Sequence, residues 1–172
     1  RCLCCHRPSG AVMTPTHALA SAILAAARAK GLKIATAESC TGGMVAAALT
    51  DIAGASDVFD RGFITYSNAA KMAMLGVLPA TLDAFGAVSE PTAAEMAEGA
   101  RLRSDATLTV SITGIAGPGG SDFKPEGRVC FGLARAGHPT QTETVEFGAL
   151  GRANLRGTAT AHALSLLARA LN

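Results

Sequence analysis

Two side chains that could act as nucleophiles, Ser39 and Cys40, stand side by side in the stretch Thr36-Ala37-Glu38-Ser39-Cys40-Thr41-Gly42-Gly43. Apolar runs on both sides of it predict a strand, then a loop, then a helix. In open α/β sheets, ligands bind beyond the carboxyl ends of strands. A helix beginning at Thr41 would direct free N–H groups and the positive end of its dipole at a ligand above Ser39, which suits a phosphate or an oxyanion.

The same stretch also has a purely structural interpretation. Serine and threonine are the usual N-caps of helices, so Ser39 and Thr41 could serve only as caps. The glycines Gly42 and Gly43 would let a ligand approach the backbone closely, but they also occur in ordinary turns. Cys40 is a rival nucleophile. A small buried cysteine is the commoner outcome, and its side chain would point away from that of Ser39 if strand geometry persisted.

A possible base follows in the stretch Tyr66-Ser67-Asn68-Ala69-Ala70-Lys71. If Ser67 caps a helix, Lys71 lies one turn in, with its side chain directed back toward the helix start. To act as a base, Lys71 needs its pKa lowered from about 10.4 to about 7–8, which requires burial or a cationic neighbour. The alternative is a solvated surface lysine, as most lysines are.

A glycine-rich loop, Thr113-Gly114-Ile115-Ala116-Gly117-Pro118-Gly119-Gly120, follows the β-branched run Ala106–Ile112 and marks a second strand end. It contains neither the G-K-[ST] of a P-loop nor the G-x-G-x-x-G of a dinucleotide-binding turn. Arg152 and Arg156 begin the last helix and share one face of it. They could face an anionic partner, or they could be solvated surface arginines.

The pattern along the chain predicts alternating helices and strands. Ser67 and Ser89 are predicted to start helices as N-caps, and the gap 136–139 is predicted to join two strands in a hairpin. Other helices are predicted at about Thr16–Lys30, at Thr41–Thr50, from Pro79 and at the C-terminus, and strands at Lys33–Ala37, Val58–Tyr66, Ala106–Ile112, Arg128–Arg135 and Thr140–Phe147. This order favours the α/β class: a single-domain α/β sandwich over residues 13–172, with a mixed, mostly parallel sheet flanked by helices.

Composition narrows the function classes. The net charge is +2 over 172 residues, and no run of basic residues or basic–aromatic pattern occurs, so nucleic-acid binding is not expected. No apolar run is long enough to span a membrane. The first twelve residues, 1–12, differ from the rest and are predicted to be a disordered or artefactual extension. Their Cys2, Cys4 and Cys5 lack the spacing of structural zinc sites, so no metal is expected. The cysteines are expected to be reduced thiols, as in a cytoplasmic protein.

Four stretches together resemble a known family. In chain order they are A-E-S-C-T-G-G, F-x-x-G-F-I-T-Y-S-N-x-x-K, G-A-V-S-E-P and S-I-T-G-I-A-G-P. From about Thr14 to its C-terminus the chain resembles the C-terminal domain of the competence/damage-inducible protein CinA, whose stand-alone members are nicotinamide mononucleotide deamidases. Longer members also carry an N-terminal nucleotide pyrophosphatase-like domain, whose activity is not expected of this chain.

The resemblance implies hydrolysis of the carboxamide of nicotinamide mononucleotide to nicotinate mononucleotide and ammonia, without cofactor or metal. It places the serine nucleophile on Ser39 and the lysine base on Lys71. It puts Tyr66, Thr113 and a C-terminal arginine, Arg152, in the same site. Arg152 stands in Leu150-Gly151-Arg152, where the family usually has G-D-R. Residues expected to bind the substrate are Thr41, Gly42, Gly43, Asn68, Gly114 and Gly117.

Within this mechanism, backbone N–H groups and Thr113 would hold the oxyanion, and Arg152 would either lower the pKa of Lys71 or bind the phosphate. A different class of function is a catalytically silent mononucleotide-binding domain with a regulatory role in competence or the DNA-damage response. The presence of both Ser39 and Lys71 favours the enzyme. A different pyridine amide or nucleotide could be the substrate, and family resemblance favours a homo-oligomer, most simply a dimer.

Overall fold

A computed structural model describes residues 14–121 and 123–172, which contain one five-stranded sheet and six α-helices. The predicted extension 1–12, with Cys2, Cys4 and Cys5, lies outside the described residues. The strands are β1 (Ile34–Glu38), β2 (Phe59–Ile64), β3 (Leu108–Gly114), β4 (Arg128–Arg135) and β5 (Gln141–Glu146). The helices are α1 (Pro15–Ala29), α2 (Met44–Thr50), α3 (Asn68–Ala70), α4 (Pro79–Phe85), α5 (Glu90–Leu102) and α6 (Arg152–Leu171). A 3₁₀ turn covers Ala55–Asp57, and a π-helical turn, Lys71–Leu75, continues α3.

The strand order is β2-β1-β3-β4-β5. Strands β1 and β2 are parallel, as are β1 and β3, whereas β4 is antiparallel to both β3 and β5. Four strands thus run in one direction and β4 opposes them, which confirms the mixed α/β sandwich and the predicted β4–β5 hairpin. Because β4 lies between β3 and β5, two of the four strand pairings are parallel and two are antiparallel. The sheet is therefore mostly parallel when strand directions are counted, but not when pairings are counted.

The side chains of β3 alternate between the two faces of the sheet, so this strand packs against helices on both sides. Leu108, Val110 and Ile112 join the larger apolar cluster, which contains α1, α2 and α6. On the other face, the hydroxyls of Thr109 and Ser111 donate to backbone carbonyls of α5, so these buried polar groups are satisfied. A smaller cluster between the sheet and α4, α5 and the π-helical turn contains Ala37, Leu75, Val77, Leu82, Met96 and Ala100.

The predicted helix starts are confirmed at two serines and wrong at α2. The hydroxyl of Ser67 accepts from the Ala70 N–H, and that of Ser89 accepts from the Thr92 N–H. Helix α2 begins at Met44, not at Thr41, after Gly43 with a φ of 99°. Within residues 14–121 and 123–172, no helix is long and apolar enough to cross a bilayer.

Candidate active site

The polar stretches at two neighbouring strand ends meet in one cleft. Because β1 and β3 are adjacent and parallel, the residues that follow β1 lie beside the end of β3, and the Ser39 N–H donates to the Ile112 carbonyl at 2.9 Å. The cleft has a volume of about 340 Å³. The predicted site residues that border it are Ser39, Tyr66, Asn68, Lys71, Thr113, Gly114, Gly117 and Arg152.

Lys71 and Ser39 form a buried pair. The Lys71 Nζ lies 3.0 Å from Ser39 Oγ and 2.9 Å from the Thr65 carbonyl oxygen, and Lys71 is only 1% exposed. Burial lowers the pKa of Lys71, because an ammonium loses hydration there while both of its acceptors are neutral oxygens. Lys71 is therefore not the solvated lysine of the alternative interpretation. The lowered pKa makes the neutral amine easier to form than in a solvated lysine, within hydrogen-bond reach of the Ser39 hydroxyl.

The backbone around Lys71 changes from α-helical to π-helical. Ser67 caps α3, and Lys71 follows one turn later, as predicted from the sequence. The π-helical turn Lys71–Leu75 then ends at Gly76, whose φ of 72° suits glycine. Such single π turns occur frequently at functional sites. The turn begins at Lys71, so the lysine that borders the cleft stands where the helix changes its geometry.

Gly99 of α5 permits close packing against this π-helical turn. A Cβ on Gly99 would lie 2.0 Å from the carbonyl oxygen of Leu75, a backbone atom of the same turn that carries Lys71. We therefore expect Gly99→Ala to lower the free energy of unfolding by about 1–3 kcal/mol, the usual cost of overpacking. Gly157→Ala in α6 is the matched control, since among the described residues a Cβ there meets no atom within 4 Å.

Urea unfolding of these two variants checks the prediction. We expect Gly157→Ala to be unchanged or stabilised by up to about 1 kcal/mol, because alanine is the better helix former. Equal stability of Gly99→Ala and the wild-type protein would show that α5 does not support the π-helical turn in this way.

Cys40 borders the cleft but is poorly suited to attack. The strand ends at Glu38, so the condition for the predicted direction of the Cys40 side chain is not met, and Cys40 packs within the larger apolar cluster. It is 5% exposed, as expected of a small buried cysteine, and burial raises the pKa of its thiol to about 11. Because the thiolate is the nucleophilic form of cysteine, Ser39 is the better candidate.

The start of α2 is closed by a side chain of the protein itself. The buried Glu38 carboxylate accepts from the Thr41 hydroxyl at 2.7 Å and from the Gly43 N–H at 3.0 Å. It also accepts from the N–H groups of Val45 and Ala46. The first turn is therefore not open to a ligand, and Thr41, Gly42 and Gly43 lie outside the residues that border the cleft. The sequence prediction missed Glu38 as a capping residue.

The two arginines that share one helix face have different surroundings. Arg152 donates to the Tyr66 hydroxyl at 2.5 Å and to the Gly117 carbonyl at 3.1 Å, at the rim of the cleft. Arg156 donates instead to the carbonyls of Cys40 and Thr41, at 3.0 and 3.1 Å. Arg152 is thus available to a ligand, whereas Arg156 holds the loop that follows Ser39.

Thr113 borders the cleft, but its hydroxyl is already used. It donates its single proton to the Ala87 carbonyl at 2.7 Å, so it cannot also donate to an oxyanion, and the predicted role is wrong for this arrangement. Among the described residues, the N–H groups of Cys40 and Thr41 donate to no oxygen. Both lie near the Cys40 sulfur, a weak acceptor, which leaves them available.

Comparison with known proteins shows the family of the chain. A model of the CinA C-terminal domain matches residues 16–171. The chain belongs to the CinA C-terminal domain family. Its similarity also extends to solved structures: the competence/damage inducible protein CihA from Agrobacterium tumefaciens superposes with a TM-score of 0.87 at 47% identity, over 91% of this chain and 95% of that one.

Two relatives show the range of lengths within the family. The chain is 52% identical over 143 residues to the nicotinamide-nucleotide amidohydrolase PncC of Escherichia coli (strain K12), covering 83% of this chain and 86% of that protein. It is 54% identical over 121 residues to a CinA-like protein of Chlorobium phaeobacteroides (strain BS1), covering 69% of this chain and 29% of that protein. The chain therefore spans most of one relative and less than a third of the other.

Proposed function

We propose that this chain hydrolyses the carboxamide of nicotinamide mononucleotide to nicotinate mononucleotide and ammonia, with Ser39 as nucleophile and Lys71 as base. The observation that carries the proposal is the buried Lys71 amine, 3.0 Å from Ser39 Oγ at a cleft between two strand ends. Among the comparisons, the proposal is supported by the relative named nicotinamide-nucleotide amidohydrolase, because the chain covers 86% of that protein.

The chemistry proceeds in two steps. The neutral Lys71 amine takes the proton of the Ser39 hydroxyl as Oγ attacks the carboxamide carbon, giving a tetrahedral oxyanion. When this intermediate collapses, the carbon–nitrogen bond breaks, Lys71 returns the proton to the leaving nitrogen, and ammonia departs. Water then gives a proton to Lys71 as it attacks the ester on Ser39. When this second intermediate collapses, Lys71 returns the proton to Ser39 Oγ, the acid is released and the serine is restored.

The oxyanion requires donors that are fixed in advance. We assign this role to the N–H group of Cys40, which immediately follows the nucleophile, borders the cleft and donates to no oxygen in the described part of the chain. The Cys40 N–H shares its peptide with the Ser39 carbonyl, which accepts from the Gly42 N–H at 3.0 Å, so this peptide is held in place. Removing a single donor of this kind typically costs about 10²–10³ in kcat.

The phosphate of the substrate is assigned to Arg152. Two of its five N–H donors are used by Tyr66 and Gly117, and three remain for a ligand at the cleft rim. Tyr66 orients the guanidinium, and Asn68 borders the cleft beside it. Gly114 and Gly117 are proposed to contact the substrate through their backbone. The cleft volume of about 340 Å³ lies within the range of small-molecule sites, about 300–1,000 Å³.

A substrate series tests this assignment. Ammonia release is measured with nicotinamide, nicotinamide riboside and nicotinamide mononucleotide, in the presence of a chelator, for the wild-type protein and for Arg152→Met. We expect turnover chiefly with the mononucleotide. We also expect Arg152→Met to raise its KM by about 10- to 100-fold, as the loss of a charge-assisted hydrogen bond would. Arg169→Met, at the far end of α6, is the matched control.

Other outcomes would redirect the proposal. Equal turnover of the riboside and the mononucleotide would remove the phosphate site. Tight binding of the mononucleotide by wild-type protein that releases no ammonia would support the silent regulatory domain instead. We also propose a cytoplasmic location, which the free thiols Cys40 and Cys130 support. Residues 13–172 are proposed as the functional unit. The homodimer stays a prediction.

A further inference from the structure

We propose that Glu38 is a positioning residue for the Ser39 nucleophile. The inference rests on the proposed amidase function and adds to it a residue that touches neither the substrate nor the reacting atoms. Glu38 is the last residue of β1, immediately before Ser39, and it is completely buried. A carboxylate in such a place costs free energy unless it is well hydrogen-bonded, so the reason for its presence lies in what it holds.

The Glu38 carboxylate joins both ends of the loop that carries the nucleophile. Its Oε2 accepts from the Thr41 hydroxyl and from the N–H groups of Gly43 and Val45, and its Oε1 accepts from the Ala46 N–H at 2.8 Å. One side chain at the strand end thus fixes the start of α2. A helix N-terminus alone needs only a serine, threonine, asparagine or aspartate at the cap. Here the capping side chain precedes Ser39 and its partners follow Ser39, so these hydrogen bonds also enclose the nucleophile.

Arg156 holds the same loop from α6. Its guanidinium donates to the carbonyls of Cys40 and Thr41. In a planar trans peptide the C=O of one residue and the N–H of the next point in opposite directions, so holding the Cys40 carbonyl also aims the Thr41 N–H. Glu38 and Arg156 together leave the loop between them little freedom. The geometry of Ser39 Oγ relative to Lys71 Nζ depends on both.

Glu38→Gln tests this role with the smallest change in shape. An amide has one acceptor oxygen, and its NH₂ group would face the N–H donors now bound by the second carboxylate oxygen. We expect kcat for ammonia release from nicotinamide mononucleotide to fall by about 10- to 100-fold, the scale of a misplaced nucleophile. We expect KM to change by less than about threefold, because Glu38 does not border the cleft.

Glu95→Gln is the matched control. Glu95 is also a carboxylate that caps a helix, accepting from the Leu78 N–H at 2.8 Å and from the Thr81 hydroxyl at the start of α4, but it does not adjoin a nucleophile. If the role of Glu38 is purely structural, both variants should lose similar amounts of stability, and the folded molecules of each should keep the full kcat. Thr41→Val, which removes one donor to Glu38, gives a second measurement if Glu38→Gln does not fold, with an expected fall in kcat of about 3- to 10-fold.

A second readout separates this inference from the proposed function. Diisopropyl fluorophosphate reacts with an activated serine: the Oγ–phosphorus bond forms, fluoride leaves, and the serine proton passes to Lys71. Mass spectrometry of the Ser39 peptide gives the rate without the natural substrate. We expect wild-type Ser39 to be modified at least about tenfold faster than Ser39 in Glu38→Gln, even if no mononucleotide is hydrolysed. Equal rates, or no modification of wild-type Ser39, would overturn the positioning role.

Discussion

Replacing Ser39 by alanine is expected to reduce ammonia release from nicotinamide mononucleotide by about 10⁴-fold or more, as removal of a covalent nucleophile does. Binding of the mononucleotide is expected to persist, because the cleft and Arg152 at its rim remain. Calorimetric titration measures binding, and a coupled assay of ammonia measures turnover. Loss of both together would indicate a damaged fold in place of a missing nucleophile.

Cys40→Ala is the control for the neighbouring thiol. Because burial raises the pKa of Cys40 to about 11, the thiolate is scarce near neutral pH. We expect Cys40→Ala to keep its turnover within about tenfold of wild type, the reduction reflecting a small cavity beside the nucleophile. The opposite pattern, with Ser39→Ala active and Cys40→Ala inactive, would assign the nucleophile to the thiol.

Replacing Lys71 by methionine is expected to cause a loss of similar size, about 10⁴-fold or more, because nucleophile and base act as a unit. Methionine keeps most of the length of the side chain and removes the amine. Lys71→Arg is the informative companion, since a guanidinium keeps the charge and the donors but cannot be deprotonated in a protein. An active Lys71→Arg variant would show that the position supplies charge and not a base.

The pH dependence of the wild-type enzyme follows from the same amine. Burial lowers the pKa of Lys71, so the free base becomes available below the ordinary value of about 10.4. Turnover is expected to rise with pH through this lowered pKa, giving an acid limb in kcat/KM. A pH-independent kcat/KM up to about pH 10 would contradict a lysine base with this pKa.

Stability should report the lowered pKa independently. Between the lowered pKa of Lys71 in the folded protein and about 10.4 in the unfolded chain, the unfolded state binds more protons, so the free energy of unfolding rises with pH. This contribution is fully present above about pH 10.4 and is lost as pH falls through the folded pKa. In urea unfolding, the free energy of unfolding of the wild-type protein should increase relative to that of Lys71→Met as pH rises. A constant difference would contradict the shift.

Much of the framework could be predicted from local chemistry. Ser67 and Ser89 precede helical patterns, and the structure confirms both as N-caps. Strand β4 matches its predicted range, Arg128–Arg135, because Gly127 and the 136–139 turn limit it on both sides. The proximity of Ser39 to the Thr113 region followed from the rule that parallel strands present their carboxyl ends at one edge.

The features that could not be predicted depend on contacts between residues far apart in sequence. Helix α2 begins three residues later than predicted because the Glu38 carboxylate, in the preceding strand, binds its first N–H groups. Lys71 is buried, and the π-helical turn that begins with it packs against Gly99 of α5, a contact that local sequence does not reveal. Equivalent spacing could not distinguish Arg152 from Arg156, because only the tertiary structure shows which carbonyls each one reaches.

Trapping with hydroxylamine is the most direct measurement of the central claim, that Ser39 carries an acyl group during amide hydrolysis. Wild-type protein is given nicotinamide mononucleotide with increasing hydroxylamine, and ammonia, acid and hydroxamate are quantified together. An ester on Ser39 predicts hydroxamate formed at the expense of the acid, with ammonia release at least as fast as without hydroxylamine, and none of these products from Ser39→Ala. Ammonia and acid formed in full without hydroxamate, or by Ser39→Ala at the wild-type rate, would contradict it.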